Sequence, residues 1–340
     1  MSSSMDEKLG RLHTHDLETG ATEAVQQHFA RHVIERRPVT QRRLDLEHRR
    51  PRWLRECIAE AAGVFFYVLP GISATASFLL NLQTPVGASA FGSFFEIGLA
   101  YAFGIAFAII VCAPTSGGHF SPAITISFAI WQGFPLRKVP YYILSQIVGA
   151  FLAALLVMGM YRPEIAAFEA ATLAAGGPLV SNTGPAGIFI SVPAATQNNL
   201  GYVFLTEFFA AAFVAVIIWA SLDRANPFVA PASAPFVIGL GYAAVIWGLA
   251  DITISINTAR DLGARFAAAI WYGGGVFTYK HYSPIGILVN IPATLFGTAF
   301  YEFFLRDSLV TIGMGGALHA EGDEGLRRHI SRPGVLQERH

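Results

Sequence analysis

Long apolar runs separated by short polar segments dominate the middle of the chain. A helix that crosses a lipid bilayer needs about 17–25 mainly apolar residues. Six runs have that length, and they are Cys57–Leu80, Phe94–Ala113, Val139–Met160, Tyr202–Leu222, Ala234–Ala250 and Tyr282–Leu305. The pattern therefore predicts an all-α membrane protein with six transmembrane helices.

Two further apolar segments are too short to cross a bilayer. They run from Ser121 to Trp131 and from Asn257 to Trp271. Irregular backbone at membrane depth is tolerated only where it is buried in protein or lines a cavity. We therefore predict two re-entrant half-helices. Short, interrupted apolar segments in matching places of two halves also indicate a central site.

The two halves of the apolar region follow the same order of elements. Each half has two spans, then a half-helix, then a third span. Glu60 in the first span and Glu207 in the fourth lie at similar depths. Because each half has an odd number of spans, the second half must be inserted upside down relative to the first. The expected fold is an inverted repeat whose half-helices begin near the midplane.

The distribution of charge agrees with a membrane domain between two aqueous tails. Only 14% of the 340 residues are charged, whereas soluble domains average about 25%. Residues 1–52 carry ten basic and eight acidic residues, and residues 306–340 carry five of each. We therefore predict an N-terminal polar and basic tail at 1–52, a membrane domain at 53–305 and a C-terminal tail at 306–340. The net charge is zero, so no nucleic-acid partner is expected.

Lysine and arginine in the short flanks predict the orientation, since they favour the cytoplasmic side. One side carries Arg49, Arg50, Arg52, Arg55, Arg137, Lys138, Arg224 and Arg306, and the other carries Arg162, Arg265 and Lys280. We therefore expect a multi-pass integral membrane protein with both termini cytoplasmic, in the plasma membrane. The basic segment 31–52 is interpreted as a solvated stretch attracted to anionic lipid, and regulatory gating by this tail is the alternative.

Both half-helices begin with residues that favour a helix N-terminus. The first follows Ser116-Gly117-Gly118-His119-Phe120 and starts with Ser121-Pro122-Ala123, with serine as the expected N-cap and proline at the first helical position. The second starts with Asn257-Thr258-Ala259-Arg260-Asp261. Two such N-termini facing each other place positive potential at the centre of the membrane. Cations and protons are then opposed, whereas neutral molecules can hydrogen-bond and pass.

These two starts resemble the Asn-Pro-Ala signatures of the major intrinsic protein family, the aquaporins and aquaglyceroporins. The resemblance runs from about Arg55 to Leu305, and its further matches are Glu60, Glu207, the Ser-Gly-Gly-His turn, Gln146, Arg260 and Asp261. The chain departs from the family pattern at Ser121, which replaces asparagine, and at Thr258, which replaces proline. The resemblance implies an aquaporin-like fold and a homotetramer with one pore per subunit.

The resemblance also implies roles for individual residues. Arg260 is expected at the narrowest external constriction, where it repels cations and donates hydrogen bonds to permeants. Glu60, Glu207 and His119 are expected to hold the re-entrant loops, and a proton relay through the glutamates is the alternative. Ser121 is expected to cap its helix while offering one donor where an amide offers two.

The family alignment suggests which other residues form the constriction and which solutes pass. The remaining ring positions are Ile254, either Val245 or Ile246, and either Tyr101 or Phe103. Glycerol-conducting members resemble this chain in Asp261, Arg265 and the pair Pro284-Ile285. The expected function is therefore a passive channel in the lipid bilayer for water and small uncharged solutes of the glycerol type, which excludes ions and protons.

Two other functions stay open, and an enzyme is not expected. The alternatives are a channel mainly for water or hydrogen peroxide, and an inverted-repeat secondary transporter. The core shows no nucleophile–base pair and no metal-ligand spacing, so no catalytic residue, metal or cofactor is predicted. Cys57 and Cys112 are the two cysteines. They are interpreted as free thiols, with a redox-sensitive gate as the alternative.

Overall fold

A computed structural model describes residues 38–82 and 92–331. The chain divides into two units between Pro51 and Arg52, and each unit is described by itself. The first contains helix α1, Gln41–Arg49, which begins after Thr40, whose hydroxyl accepts a hydrogen bond from the Arg43 N–H. The predicted tails lie partly outside the described residues, at 1–37 and 332–340.

The described part of the second unit consists of helices joined by turns and loops, and it contains no strand. Its first eight helices are α2 Arg52–Asn81, α3 Phe94–Ser116, α4 Pro122–Trp131, α5 Val139–Met160, α6 Arg162–Ala174, α7 Leu200–Leu222, α8 Ala234–Leu249 and α9 Thr258–Tyr272. Short helical turns lie at Leu136–Lys138, Pro185–Ile188, Gly275–Thr278 and Tyr279–His281. Every predicted span up to the fifth, and both half-helices, therefore falls on a helix.

The sixth predicted span is a helix in three parts. They are α10 Ser283–Leu288, α11 Asn290–Phe300 and a π-helical turn Tyr301–Leu305. Pro292 has no N–H to offer the carbonyl of Leu288, and the helix is interrupted at Val289. Two shorter helices follow, α12 Ser308–Gly313 and α13 Gly322–Ile330.

Among residues 38–82 and 92–331, five helical segments are long and apolar enough to cross a membrane by their length and composition. They are Arg52–Asn81, Phe94–Ser116, Leu136–Met160, Leu200–Leu222 and Ser283–Leu305. The fifth predicted span is α8, an apolar helix of 16 residues. The half-helices α4 and α9 have 10 and 15 residues, so neither has the length that a spanning helix needs.

The packing of the helices has the same pattern in both halves. Helix α2 packs against α3 and α5, and its counterpart α7 packs against α8 and α11. The half-helix α9 packs against α5, whereas α4 packs against α11, so each contacts the last span of the opposite half. Helices α3 and α8 complete the contact between the halves. An inverted repeat requires this pattern.

Glycine permits backbone contact between the first and the last span of each half. A Cβ at Gly149 of α5 would lie 2.1 Å from the carbonyl oxygen of Ala61 in α2. A Cβ at Gly297 of α11 would lie 2.4 Å from the carbonyl oxygen of Ala212 in α7. Close backbone approach at small residues is a main source of helix association in lipid. These two glycines therefore stabilise the bundle.

We expect Gly149→Ala to lower the thermal unfolding temperature of the detergent-solubilised protein. The added methyl group overpacks the α2–α5 contact, which costs about 1–3 kcal/mol. Gly159→Ala in the same helix is the matched control, because nothing lies within 4 Å of a Cβ there and alanine is the better helix former. Equal unfolding temperatures for the two variants would contradict the role of Gly149.

The long connection at 162–199 is ordered and fastened to its surroundings. Its helix α6 carries Arg162, which forms an ion pair with Glu169 at 2.9 Å. The hydroxyl of Tyr272, at the end of α9, donates to the same carboxylate at 2.9 Å. The ammonium group of Lys280 donates to three backbone carbonyls of this connection. Helix α6 is thereby held to the end of α9, and the later part of the connection is held to the turn Tyr279–His281.

Candidate functional site

A buried glutamate holds the loop that leads into each half-helix. The Glu60 carboxylate accepts hydrogen bonds from the backbone N–H groups of His119 at 3.0 Å and Phe120 at 2.8 Å. The Gln146 side chain also donates to it, at 2.7 Å. Backbone donors at membrane depth need a partner within the protein. Glu60 supplies that partner for the loop before α4.

The second half repeats the arrangement with different residues. The Glu207 carboxylate accepts from the N–H groups of Ser255 at 3.0 Å and Ile256 at 3.2 Å. Two hydroxyls complete its contacts, Tyr282 at 2.6 Å and Thr253 at 3.1 Å. The inverted repeat is therefore visible in individual hydrogen bonds.

The residue before each half-helix start has a left-handed backbone. Phe120 has φ of 50° and Ile256 has φ of 46°. Such a conformation is rare for a bulky or β-branched residue and costs about 1–3 kcal/mol. Both N–H groups are bonded to the glutamates, so the same contacts that satisfy the loops also hold these strained turns. The turns direct the N-termini of α4 and α9 towards each other.

The two half-helix starts are capped differently. The Asn257 side-chain oxygen accepts from the N–H groups of Ala259 at 2.9 Å and Arg260 at 3.3 Å. Ser121 occupies the N-cap position of α4, but its side chain makes no capping hydrogen bond. The prediction that Ser121 caps its helix is therefore wrong. Helix α4 begins instead on the preset φ of Pro122, followed by buried Ala123.

Thr258 has partners that a proline could not use. Its hydroxyl lies 2.7 Å from the Ile287 carbonyl oxygen and 2.9 Å from Asn290 Oδ1, and its one hydrogen is shared between these two acceptors. Its N–H donates to the same Asn290 oxygen at 3.3 Å. The start of α9 is thus bonded to the sixth span at the break between α10 and α11. Asparagine in an apolar span is the signal that could have indicated this contact from the sequence.

A cavity of about 260 Å³ leads to the start of α9, and we call it the central cavity. Its mouth is formed by the end of α2, the beginning of α3 and residues of the connection before α7. Its inner end is lined by Tyr67 in the middle of α2, Ile105 in α3, Tyr242 in α8 and Asn257 at the start of α9. Ser121, Pro122 and Ala123 do not line it. The cavity therefore extends from one end of the bundle to mid-depth.

Arg260 is fixed in the wall of the central cavity. Its Nε and Nη2 donate to the Tyr101 hydroxyl at 3.1 and 2.8 Å, and its Nη1 donates to the Ser191 hydroxyl at 3.3 Å. The arginine side chain is only 10% exposed. An arginine at membrane depth that faces a cavity is typical of a functional site. Each guanidinium nitrogen has a partner that holds the charge in place.

The predicted ring is only partly on the cavity wall. Ile254 lines the cavity. Of the predicted alternatives, Ile246 and not Val245 lines it, and Tyr101 and not Phe103 does so. Phe103 lies on the outer surface with 47% exposure, and Val245 is buried in the core. Phe103 and Val245 are therefore not lining residues.

The buried ion pair Asp261–Arg265 lies behind the wall. The Arg265 Nε donates to Asp261 Oδ2, and its other nitrogens donate to the carbonyls of Val276 and Ser191. Arg265 is fully buried, although the prediction of orientation treated it as a charge in the flank of a span. The pair holds the backbone of Ser191. Asp261 Oδ1 also lies 3.9 Å from Arg260 Nη1, so its carboxylate stands directly beside the guanidinium of the wall.

Ser191 is a wall residue that the sequence did not indicate. Its hydroxyl accepts from Arg260 and donates to the Ile254 carbonyl at 2.7 Å. It connects the fixed charge with the aliphatic part of the wall. Because Ser191 lies in the long connection at 162–199, no periodicity or motif predicts its position.

The remaining predicted residues lie away from the cavity. The His119 ring stacks on Phe128 with centroids 4.6 Å apart, and its Nδ1 lies 3.2 Å from the Thr125 hydroxyl. Pro284 is exposed and Ile285 is half-buried at the start of α10. Neither of these two contributes to the cavity wall.

The structure offers no metal centre in residues 38–82 and 92–331. Within these ranges, no group of three or more His, Cys, Asp or Glu side chains could hold a metal ion. Both cysteines are free thiols, with Cys57 half-buried and Cys112 buried. The described residues of the cavity wall bring hydrogen-bonding groups, the Arg260 guanidinium, the Asp251 carboxylate and apolar side chains together.

Comparison with known proteins agrees with this geometry. The sequence model of the family described as major intrinsic protein matches residues 47–280. The chain is 46% identical over 261 residues to Aquaporin-3 of Laccaria bicolor, covering 75% of this chain and 78% of that protein. It is 36% identical over 256 residues to Aquaglyceroporin-2 of Rhizophagus irregularis, covering 74% and 77%.

A solved structure shows the same fold. The X-ray structure of the aquaglyceroporin from Plasmodium falciparum matches with a TM-score of 0.64 and 23% identity, covering 76% of this chain and 99% of that one. The predicted fold class is thus confirmed as an all-α membrane protein with six spans, two re-entrant half-helices and an inverted repeat. From its match to the family and the identity to its relatives, the chain belongs to the major intrinsic protein family of membrane channels.

Proposed function

We propose that the protein is a passive channel for water and small uncharged solutes of the glycerol type. The observation that carries this proposal is the composition of the cavity wall at Arg260. A fixed guanidinium and two hydroxyls, from Tyr101 and Ser191, lie in the same cavity as the aliphatic side chains of Ile246 and Ile254. A polyol has one hydroxylated edge and one carbon edge, and such a wall accommodates both.

Exclusion of cations follows from the same groups. The Arg260 charge repels cations, and the N-terminus of α9 adds positive potential from its helix dipole. Neutral solutes experience neither repulsion and can accept hydrogen bonds from the wall. A protein of this family named aquaglyceroporin, at 36% identity, is consistent with the proposed solute class.

The supporting residues have structural roles in this proposal. Glu60 and Glu207 hold the two loops through backbone N–H groups. His119 packs the first loop against aromatic rings of α4 and its neighbours. We further propose that the cavity mouth faces outward, that both termini are cytoplasmic, that the channel is a homotetramer and that it resides in the plasma membrane. The positive charge in the flanks and the family resemblance support these points.

A channel mainly for water or hydrogen peroxide is the second candidate. It is favoured by the inner end of the cavity, where both amide hydrogens of Asn257 are already bonded to protein oxygens. A permeant at this depth therefore receives no hydrogen bond from Asn257. The smallest molecules lose the least binding energy when this hydrogen bond is missing.

The test is a parallel measurement of water, glycerol and hydrogen peroxide flux in proteoliposomes that contain the full chain. We expect all three fluxes to exceed those of empty vesicles, with near-linear dependence on concentration and a low activation energy. Glycerol flux equal to that of empty vesicles would remove the glycerol assignment and leave the second candidate. Saturating flux that responds to a pH gradient would indicate a secondary transporter instead.

A further inference from the structure

We propose that Tyr67 determines solute size in this channel by closing the central cavity at its inner end. This inference rests on the proposed channel function and adds a residue that the sequence motifs did not indicate. Tyr67 lies in the middle of α2 and is 5% exposed. It follows Glu60 by seven residues, which is two helical turns on the same face, and it is thereby directed towards the half-helix starts.

The Tyr67 hydroxyl connects the starts of both half-helices. It accepts a hydrogen bond from Asn257 Nδ2 at 2.9 Å and donates to the Phe120 carbonyl at 3.4 Å. Asn257 Nδ2 also donates to the Phe120 carbonyl, at 3.0 Å. Phe120 precedes α4 and Asn257 caps α9, so this three-membered cluster lies where the two halves meet. A side-chain amide has two N–H donors, and both are used within the cluster.

The packing around Tyr67 keeps its ring in this place. Glycines flank it one turn away on each side of the helix face. A Cβ at Gly63 would lie 2.1 Å from the Phe120 ring, and a Cβ at Gly71 would lie 2.2 Å from the Tyr101 ring. These glycines admit the two rings above and below Tyr67, and the Tyr67 and Tyr101 centroids are 6.5 Å apart.

The backbone behind Tyr67 is also confined. A Cβ at Gly104 of α3 would lie 2.8 Å from the Tyr67 Cα. Helix α3 therefore approaches α2 as closely as two backbones permit at this level. This contact fixes the Tyr67 backbone, and the hydrogen bonds of its hydroxyl hold the ring at the inner end of the cavity.

The extent of the central cavity agrees with a closure at Tyr67. Tyr67 and Asn257 line the cavity, whereas Phe120 and the residues of the α4 start do not. The lining of this cavity therefore reaches the cluster and does not include the start of the other half-helix. A solute that crosses the midplane must displace the phenol ring and break its hydrogen bonds. The barrier rises with the cross-section of the solute, because a larger solute needs a larger displacement.

The test compares solute-size profiles of wild type, Tyr67→Ala and Tyr67→Leu in proteoliposomes, using water, glycerol and erythritol. We expect erythritol flux in both variants to rise by about tenfold or more, which corresponds to a lower barrier at the midplane. Ion leakage should stay at the wild-type level, because Arg260 is unchanged. Tyr67→Phe keeps the ring and should keep the wild-type order of solutes, with a rise of no more than about threefold in any flux.

Phe66→Ala is the matched control, since it truncates an aromatic residue on the exposed face of the same helix. The proposal is overturned if Tyr67→Leu or Tyr67→Ala, eluting as the wild-type assembly, keeps the wild-type size profile. It is also overturned if Phe66→Ala shifts the profile equally. Absence of all flux in wild type and in both Tyr67 truncations overturns the channel function as well, so the two failures are distinct.

Discussion

Arg260→Ala is expected to admit monovalent cations through the channel. At an effective dielectric constant of 20, two like unit charges about 4 Å apart repel by about 4 kcal/mol. Removing the guanidinium removes this barrier from the cavity wall. It also leaves Asp251 as the remaining charged side chain among the described residues that line the cavity. We therefore expect potassium leakage from proteoliposomes to rise by about a hundredfold or more.

The control for this variant is Arg162→Ala. It removes the same charge from a residue that is paired with Glu169 in helix α6 and does not line the central cavity. It should leave potassium leakage at the wild-type level. The double variant Arg260→Ala/Asp251→Asn should leak less than Arg260→Ala, because no carboxylate then attracts the cation. Unchanged leakage in Arg260→Ala would exclude Arg260 as the barrier to cations.

Glu207→Leu is expected to prevent stable folding. The substitution leaves the N–H groups of Ser255 and Ile256 without an acceptor, and each unsatisfied buried donor costs about 1–3 kcal/mol. It also releases the left-handed turn at Ile256. The combined loss is a large part of a typical folding free energy of about 5–15 kcal/mol. The measurement is the yield of monodisperse protein and its unfolding temperature in detergent.

Two further variants separate folding from proton transfer. Glu96→Leu removes an exposed glutamate in the first turn of α3 and should have little effect on the unfolding temperature. Glu207→Gln keeps one acceptor oxygen and should be intermediate. A Glu207→Leu protein as stable as Glu96→Leu would contradict the supporting role. A stable Glu207→Gln protein that lost a pH-driven flux of the wild type would favour the proton-relay alternative.

The spans were predictable because apolar length is a property of composition. The third span, Val139–Met160, has the predicted bounds. Helix α2 begins at Arg52, before the predicted start at Cys57. Its beginning contains charged residues, which a search for apolar runs leaves out. Glu56 there pairs with Arg52 at 3.0 Å and with Lys138 at 2.6 Å. The pair with Arg52 is a local i,i+4 pair, whereas the pair with Lys138 depends on a distant segment and is not visible in a local pattern.

The site was predictable only to the level of its motifs. Tyr101 and Phe103 are two residues apart, and on a helix that separation turns the side chain by about 200°. If the alignment is wrong by two residues, it therefore selects a residue on the outer surface in place of one on the cavity wall. Ser121 shows a second limit of prediction from sequence. A serine favours the N-cap position, but its residue type does not determine whether its side chain forms the capping hydrogen bond. Tyr67 and Ser191 needed the folded structure, since their partners lie far away in the chain.

The bond between Thr258 and Asn290 makes these two positions depend on each other during sequence divergence. A proline at 258 would remove the N–H and the hydroxyl from which Asn290 Oδ1 accepts hydrogen bonds. That oxygen would then be left unpaired in a buried site. An apolar residue at 290 would strand the N–H of Thr258 in the same way. Neither change is neutral alone, so we infer that the threonine and the asparagine persist or disappear together in descendants of this chain.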